Sequence, residues 1–230
     1  MLKNNDPKGK SIQPRRFWVL GAGYFGSIAV ERILRRIPDA TITVVDKEPR
    51  TIEDSRITMV HAEGIQWLDA MLEFQAPVDI IVPAIPVHVA AEWIKLNFLK
   101  TCRVHPASIP DAWLAHMHNA IRGKSGQVYV SHADFICPDN CPEPENRCTH
   151  TGKPRPTALY RLLQKQNFDM FLPIVLRSYQ LLAGVGGIYP ADLMTAMDTA
   201  RQNSHRPLMI GTACSCHGVM DFMHVKPKTP

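Results

Sequence analysis

The period of the apolar positions changes along the chain, and each change marks an element. Phe17–Leu20 is a short unbroken apolar run, as a strand covered on both faces requires. From Tyr24 to Ile37 apolar residues recur at helical spacing, and Thr41–Val45 returns to a strand-like run. Arg56–His61 predicts a third strand. Over Gly64–Phe74, Ile65, Leu68 and Leu72 share one helical face, with Trp67 and Met71 beside it. Val78–Val82 is almost continuously apolar and predicts a central parallel strand. Pro83 and Pro86 break the chain before a helix over Val87–Phe98. Strand and helix alternate throughout, which is the pattern of a doubly wound half-domain over residues 16–106.

Beyond this half the pattern predicts a strand at Thr101–His105, a helix over Pro110–Arg122 and a strand at Gln127–Ser131. A loop rich in Cys and Pro runs from His132 to Pro156. A helix over Thr157–Gln166, a strand at Phe171–Ser178 and a Gly-rich loop at Ala183–Ile188 follow. A helix over Pro190–Asn203 and a strand at Pro207–Thr212 complete the set. Residues 1–15 read as a flexible arm, 16–106 as one half and 107–230 as a cysteine-bearing second α/β half packed on the same sheet rim.

The turn after the first strand carries the most specific signal. Gly21, Gly23 and Gly26 stand at G-x-G-x-x-G spacing between strand and helix, and Asp46 ends the second strand. Gly21 permits the sharp turn, Gly23 lets backbone approach a pyrophosphate, and Gly26 lets the helix lie close to the sheet. The N–H groups around Tyr24 and Phe25, at the helix start, face phosphate. Asp46, 20 residues past Gly26, suits a ribose diol and favours NAD over NADP. Lys47 and Arg50 beside it would instead suit a 2′-phosphate.

This stretch resembles the NAD(P)-binding Rossmann superfamily, in particular the TrkA-N type of nucleotide domain and small NAD-dependent oxidoreductases. The resemblance covers about the first 105 residues. It implies a Rossmann-like, mostly parallel sheet and a bound NAD(H). Pro83, Pro86 and His88 also stand where oxidoreductases of the glucose–fructose oxidoreductase type carry a Pro-containing loop, a His and a helix. That family's Lys-Pro pair is replaced here by His105-Pro106. His88 and His105 are the candidate acid–base residues.

Composition narrows the classes. The 230 residues are 45% hydrophobic and 20% charged, with a formal charge of +5. Much of the basic excess lies near the ends, and no basic stripe with interleaved aromatics points to nucleic acid. No run approaches the ~20 apolar residues of a membrane span. The first 14 residues lack the apolar core of a signal peptide, so a cytoplasmic, reducing location is expected.

Six cysteines in such a compartment point to a metal or redox chemistry before disulfides. Cys137, Cys141 and Cys148 form C-x3-C-x6-C in a loop with no apolar periodicity, which a metal would hold where packing does not. Cys214 and Cys216 form C-x-C, with His217 next. Cys137 and Cys141 each precede Pro, as iron–sulfur ligands often do. Cys102 reads as a buried apolar residue. His132 and His217 are substitute ligands.

The expectation is an NAD(H)-binding redox protein with a cysteine-ligated centre near the nucleotide, iron–sulfur before zinc, moving hydride or electrons. An NAD-dependent oxidoreductase with a redox protein as candidate partner fits it, and the oligomeric state stays open. The alternative is a TrkA-N-like nucleotide-sensing module with a structural zinc.

Overall fold

A computed structural model describes residues 4–5, 11–12, 14–48, 52–166 and 170–228. Much of the N-terminal arm, together with Arg50, lies outside the described residues. The first elements are β1 (Asn4–Asn5), β2 (Ser11–Ile12), β3 (Arg16–Leu20), α1 (Tyr24–Arg36), β4 (Thr41–Asp46), β5 (Ile57–His61), α2 (Gly64–Met71), β6 (Ile80–Pro83) and α3 (Val89–Leu99). There follow β7 (Cys102–Pro106), α4 (Asp111–Leu114), β8 (Ile121–Arg122), β9 (Val128–Ser131), α5 (Leu159–Lys165), β10 (Leu172–Arg177), β11 (Tyr179–Leu182) and β12 (Val185–Gly187). α6 (Pro190–Gln202), β13 (Leu208–Ala213) and β14 (His217–Pro227) close the chain. The class is α/β, as the alternation of periods predicts.

Two compact units divide these elements. One comprises Met1–Val87 with Tyr179–Pro190, the other His88–Ser178 with Ala191–Pro230. The boundary near residue 106 read from the sequence therefore moves to Val87, and a short later segment joins the first unit.

In the first unit β5, β4, β3 and β6 form a parallel sheet in that order. Reading outward, this is third, second, first, fourth, the order of a doubly wound sheet. Leu20 pairs with Val45 and with Pro83, so β4, β3 and β6 end close together. Gly26, Ala29, Val30 and Ile33 form the buried stripe of α1, at i, i+3, i+4 and i+7. They pack with Phe17, Val19, Ile42, Val44, Ile80 and Val82. Arg35 and Arg36 occupy the last turn of α1, where the helix dipole favours cations. At the opposite end of the strands, Asp79 Oδ2 accepts the N–H groups of Arg15 and Arg16, both at 2.9 Å. Asp79 Oδ1 accepts Arg16 Nη2 at 2.6 Å, which fastens the start of β3 beside β6.

The expected Gly-rich loop is a β-hairpin, β11–β12, and it completes this unit's core. Val185 is buried in the core of α1 and the sheet. Ile188 and Ile81 exchange two backbone hydrogen bonds, at 2.9 and 2.8 Å, beyond the edge strand β6. Arg32 Nη1 reaches the carbonyl of Ala183 at 2.7 Å, tying α1 to the hairpin turn.

The later strands build a sheet of their own. Its order is β10-β13-β14-β9-β8, and β7 also pairs with β14. β14 is eleven residues long, with β13 on one side and β9 then β7 on the other, all antiparallel to it. β10 runs parallel to β13. β9, β10 and β13 consequently end at the same edge of the sheet. α5 covers the face bearing Met209, Ala213, Met220 and Phe222 through Leu159, Tyr160 and Leu163. The helix expected over Pro110–Arg122 shortens to α4. Asn119 has φ +41°, a left-handed turn that ends any helix there, and Ile121–Arg122 pairs with β9. Among the described residues, no helix is long and apolar enough to cross a membrane.

Candidate functional site

The glycine turn of the first unit is built from both of its neighbours. Gly21 has φ +106°, and a Cβ there would lie 2.6 Å from the Ala84 carbonyl oxygen. Its own N–H donates to the Val45 carbonyl at 2.7 Å. A Cβ at Gly26 would collide with the carbonyl oxygen of Gly21, so the helix sits directly on the turn. Gly23 differs from both, because a Cβ there would meet nothing within 4 Å. Gly23 is also the N-cap of α1 and places no side chain over the first-turn N–H groups. The loop is therefore rigid at its two ends and open in its middle.

Asp46 stands at the end of β4 and turns toward this loop. Its Oδ2 accepts the Ala22 N–H at 2.6 Å, and its Oδ1 accepts the Glu48 N–H at 2.8 Å. The next residue, Lys47, is exposed, and its carbonyl contacts His61 Nε2 at 2.7 Å. Tyr24 and Phe25 are 67% and 64% exposed, apolar rings left on the surface beside the glycines. They form an edge-on pair with centroids 5.2 Å apart.

Five of the six cysteines gather in the second unit at the edge where β9, β10 and β13 end; Cys102 begins β7, opposite Pro227 at the other end of β14. Cys214–Cys216 is the turn from β13 into β14, and Ala213 pairs with Gly218 across it. The cysteine loop leaves β9 and is stitched to this turn by the His132 N–H, which donates to the Cys216 carbonyl at 2.8 Å. Glu143, at φ +48°, accepts the Ser215 N–H on Oε1 at 2.6 Å. The start of α5 is tied in as well, Leu159 N–H to the Ser215 carbonyl at 2.9 Å. A small hairpin, with Arg147 bridged to Pro154, carries Cys148 on one arm and Arg155 on the other.

Two of the sulfurs receive backbone N–H groups from their own turns. Cys214 Sγ accepts from Cys216 N at 3.4 Å and His217 N at 3.3 Å. Cys148 is held below the usual thiol range by the Thr151 N–H and hydroxyl and by the His150 N–H. Donors two and three residues onward stabilise sulfur as thiolate. On three sulfurs, Cys214 among them, burial acts the opposite way. Burial pushes Cys214 up to about 11, with the Glu143 carboxylate adding to it. Cys137 is raised by burial and then by negative charge on Cys141 and Cys148. Burial raises Cys216 too; Arg155 opposes this, while Glu143, Cys137 and Cys141 reinforce it.

Cys137 thus lies within the fields of Cys141, Cys148 and Cys216, Cys216 also within that of Cys141, and Cys214 within that of Cys216. A cation among them would reverse the mutual penalty on their thiolates. As placed, the described residues contain no group of three or more His, Cys, Asp or Glu side chains arranged to hold a metal ion. No disulfide joins any of the six cysteines, and all six are half-buried, Cys102 included. Burial lowers His132, whose Nε2 contacts the Thr157 carbonyl at 3.0 Å. His217 is likewise lowered by burial.

The two histidines singled out for acid–base work sit elsewhere. His88 stands at the start of α3 with its side chain 5% exposed. Its Nδ1 meets Asp221 Oδ2 at 2.7 Å and its Nε2 meets Thr212 Oγ1 at 2.8 Å. Both ring nitrogens are occupied, so the residue latches α3 to the strands. His105 is an exposed residue of β7, paired in register with His224. The cysteine loop's partners Arg155 and Glu143 are missing from the sequence reading. The sequence signal for them is only an acid and a cation within and just after a run of cysteines.

Residues 90–226 match the family described as "Uncharacterized protein, C-terminal domain". That span begins beside His88, where the second unit begins, and contains all the cysteines. A protein of Archaeoglobus fulgidus, described as "Uncharacterized protein", is 27% identical over 220 residues. The similarity covers 88% of this chain and 96% of that one, so it runs through both units. On the family match, which spans more than half its length, this chain belongs to the family described as "Uncharacterized protein, C-terminal domain".

Proposed function

We propose that the chain is an NAD(H)-binding redox protein carrying a cysteine-ligated metal centre, an iron–sulfur cluster in preference to zinc. It works in the cytoplasm, with a redox protein as its macromolecular partner. The observation that carries this reading is the meeting of cysteines from separate parts of the chain at one edge of the second sheet. Cys137, Cys141, Cys148 and Cys216, with Cys214 beside them, supply more thiols than a four-ligand site needs. Thiolate donors in such number select iron–sulfur or zinc. Coordination requires side-chain rotation from the positions described above.

The first unit supports the dinucleotide half of the reading. It resembles a Rossmann domain of the TrkA-N type, with an open Gly23, an α1 N-terminus without a side-chain cap, and Asp46 at the strand end. The pyrophosphate would lie on the α1 N-terminus and the adenosine ribose near Asp46. Bound NAD(H) would supply hydride chemistry and a cluster single-electron chemistry.

Purification without oxygen, followed by absorption spectroscopy and metal analysis, tests the proposal. A brown protein bleached by reductant supports it. A colourless protein holding about one zinc per chain favours the second reading, a nucleotide-sensing module stapled by zinc. The turn N–H groups on Cys148 and Cys214 suit that closed tetrahedral site equally. Titration with NADH, followed by calorimetry, checks the nucleotide half independently.

A further inference from the structure

Arg155 is set into the cysteine edge by its backbone. Its N–H donates to the Asn146 carbonyl at 3.0 Å, on the hairpin that also carries Cys148. The side chain is half-buried among the sulfurs. Nη1 donates to Cys216 Sγ at 2.7 Å, and Nη2 lies 4.0 Å from Cys141 Sγ. Nε is buried and has no hydrogen-bond partner. One planar fork therefore addresses a sulfur from the C-x-C turn and a sulfur from the distant loop.

A guanidinium is a permanent cation, and burying it is costly unless negative charge faces it. The acceptors its fork addresses here are sulfurs rather than carboxylates. Neutral thiols are poor acceptors and do not compensate a buried cation. Thiolates do, and four of them around a divalent metal or an oxidised cubane cluster leave net negative charge. Resting on the metal reading proposed above, we infer that Arg155 is a positioning and charge-compensating residue of the centre. It donates N–H···S hydrogen bonds to Cys216 and Cys141 and so stabilises the loaded, reduced site. Removing it leaves the ligands in place but strips the negative centre of its internal counter-charge.

The test compares the full-length wild type with Arg155→Gln and Arg155→Lys, each reconstituted with iron and sulfide or with zinc alone. Competition against a chelator is the first readout, and the midpoint potential of the iron form is the second. Arg155→Gln is expected to hold metal about 10- to 100-fold less tightly, as for other partners of ligating groups. Its midpoint potential should move negative, because a donor to sulfur is lost. Arg155→Lys keeps the charge without the fork and should fall between the two. A circular-dichroism melt separates these effects from loss of folding, and Arg155→Lys carries the test if Arg155→Gln does not fold. Equal chelator competition and an unmoved potential in the variants overturn the role of Arg155 and leave the metal reading standing. A wild type that takes up neither iron nor zinc overturns the metal reading, and the role of Arg155 with it.

Discussion

Asp46 is bonded to the glycine loop itself: its Oδ2 accepts the Ala22 N–H at 2.6 Å. The acid that ends the second strand of the sheet thereby clamps the turn that ends the first. Asp46→Ala removes both this bond and the one to Glu48 N–H. The expected loss is about 1.5–3 kcal/mol, the range for hydrogen bonds to charged groups. NADH affinity should fall in the same variant, and Asp46→Asn should retain more stability than affinity. Denaturant melts and calorimetric titration measure the two effects separately.

Gly23 and Gly26 should respond to alanine in opposite ways. Nothing stands within 4 Å of a Cβ at Gly23, so Gly23→Ala should change stability by no more than about 1 kcal/mol, the scale of an N-cap substitution. It should weaken NADH binding by putting a methyl where the pyrophosphate would pass. Gly26→Ala drives a Cβ into the Gly21 carbonyl and should destabilise by about 1–3 kcal/mol as overpacking. Unimpaired NADH binding by Gly23→Ala would sink the phosphate role of this loop.

Metal content should track the cysteines that share a field. Cys141→Ser and Cys148→Ser are each expected to lower metal per chain, while Cys102→Ser, which lies on β7, should not. Elemental analysis of the three variants checks this, and unchanged metal in Cys141→Ser counts against the centre.

Asp79 supplies an acid-sensitive clamp. Burial pushes its carboxyl up, but hydrogen bonds from the Arg16 side chain and from the Arg15 and Arg16 N–H groups outweigh burial and hold it below the ordinary range. Its stabilisation is therefore present above the unfolded value of about 3.9 and is lost as pH falls through the lower folded value. Asp79→Asn should be less stable than wild type at pH 7, with the gap closing below about pH 4. Thermal melts across that window provide the comparison.

His88→Phe should destabilise by about 1–3 kcal/mol, because it leaves Asp221 and Thr212 without the ring nitrogens that satisfy them. A latch predicts a lower melting temperature with NADH affinity unchanged; a substrate-binding role would move affinity instead.

Legibility followed the range of the interactions. The sheet of the first unit was readable because Phe17–Leu20, Thr41–Val45 and Val78–Val82 are apolar runs whose fate is decided locally. β14, the strand on which the second sheet is assembled, was not. Its Met220, Phe222 and Met223 are buried, but Asp221 and His224 interrupt them and give the segment a mixed look. The hairpin β11–β12 reads as a loop because Gly184, Gly186 and Gly187 dilute its apolar pattern, and the bridge from Ile188 just past it to Ile81 is far from local. The sequence places Cys137 after one strand end and Cys214 and Cys216 after another, and β9 and β13 do end at one edge, in a sheet separate from that of the glycine loop. What makes β9 and β13 end at one edge is β14, the very strand the pattern concealed.

The hairpin has a consequence for how the chain can be made and cut. Tyr179–Pro190 returns to the first unit after most of the second has been traversed, so the polypeptide crosses between units more than once. During synthesis the first unit cannot close its core until residue 190 has emerged, by which time α3 and β7 through β10 are already available to fold. A fragment stopped at residue 106 would present β6 as a bare apolar edge, with the places of Val185 and Ile188 empty. A piece that keeps the first unit whole must carry residues 179–190 together with the chain up to Val87.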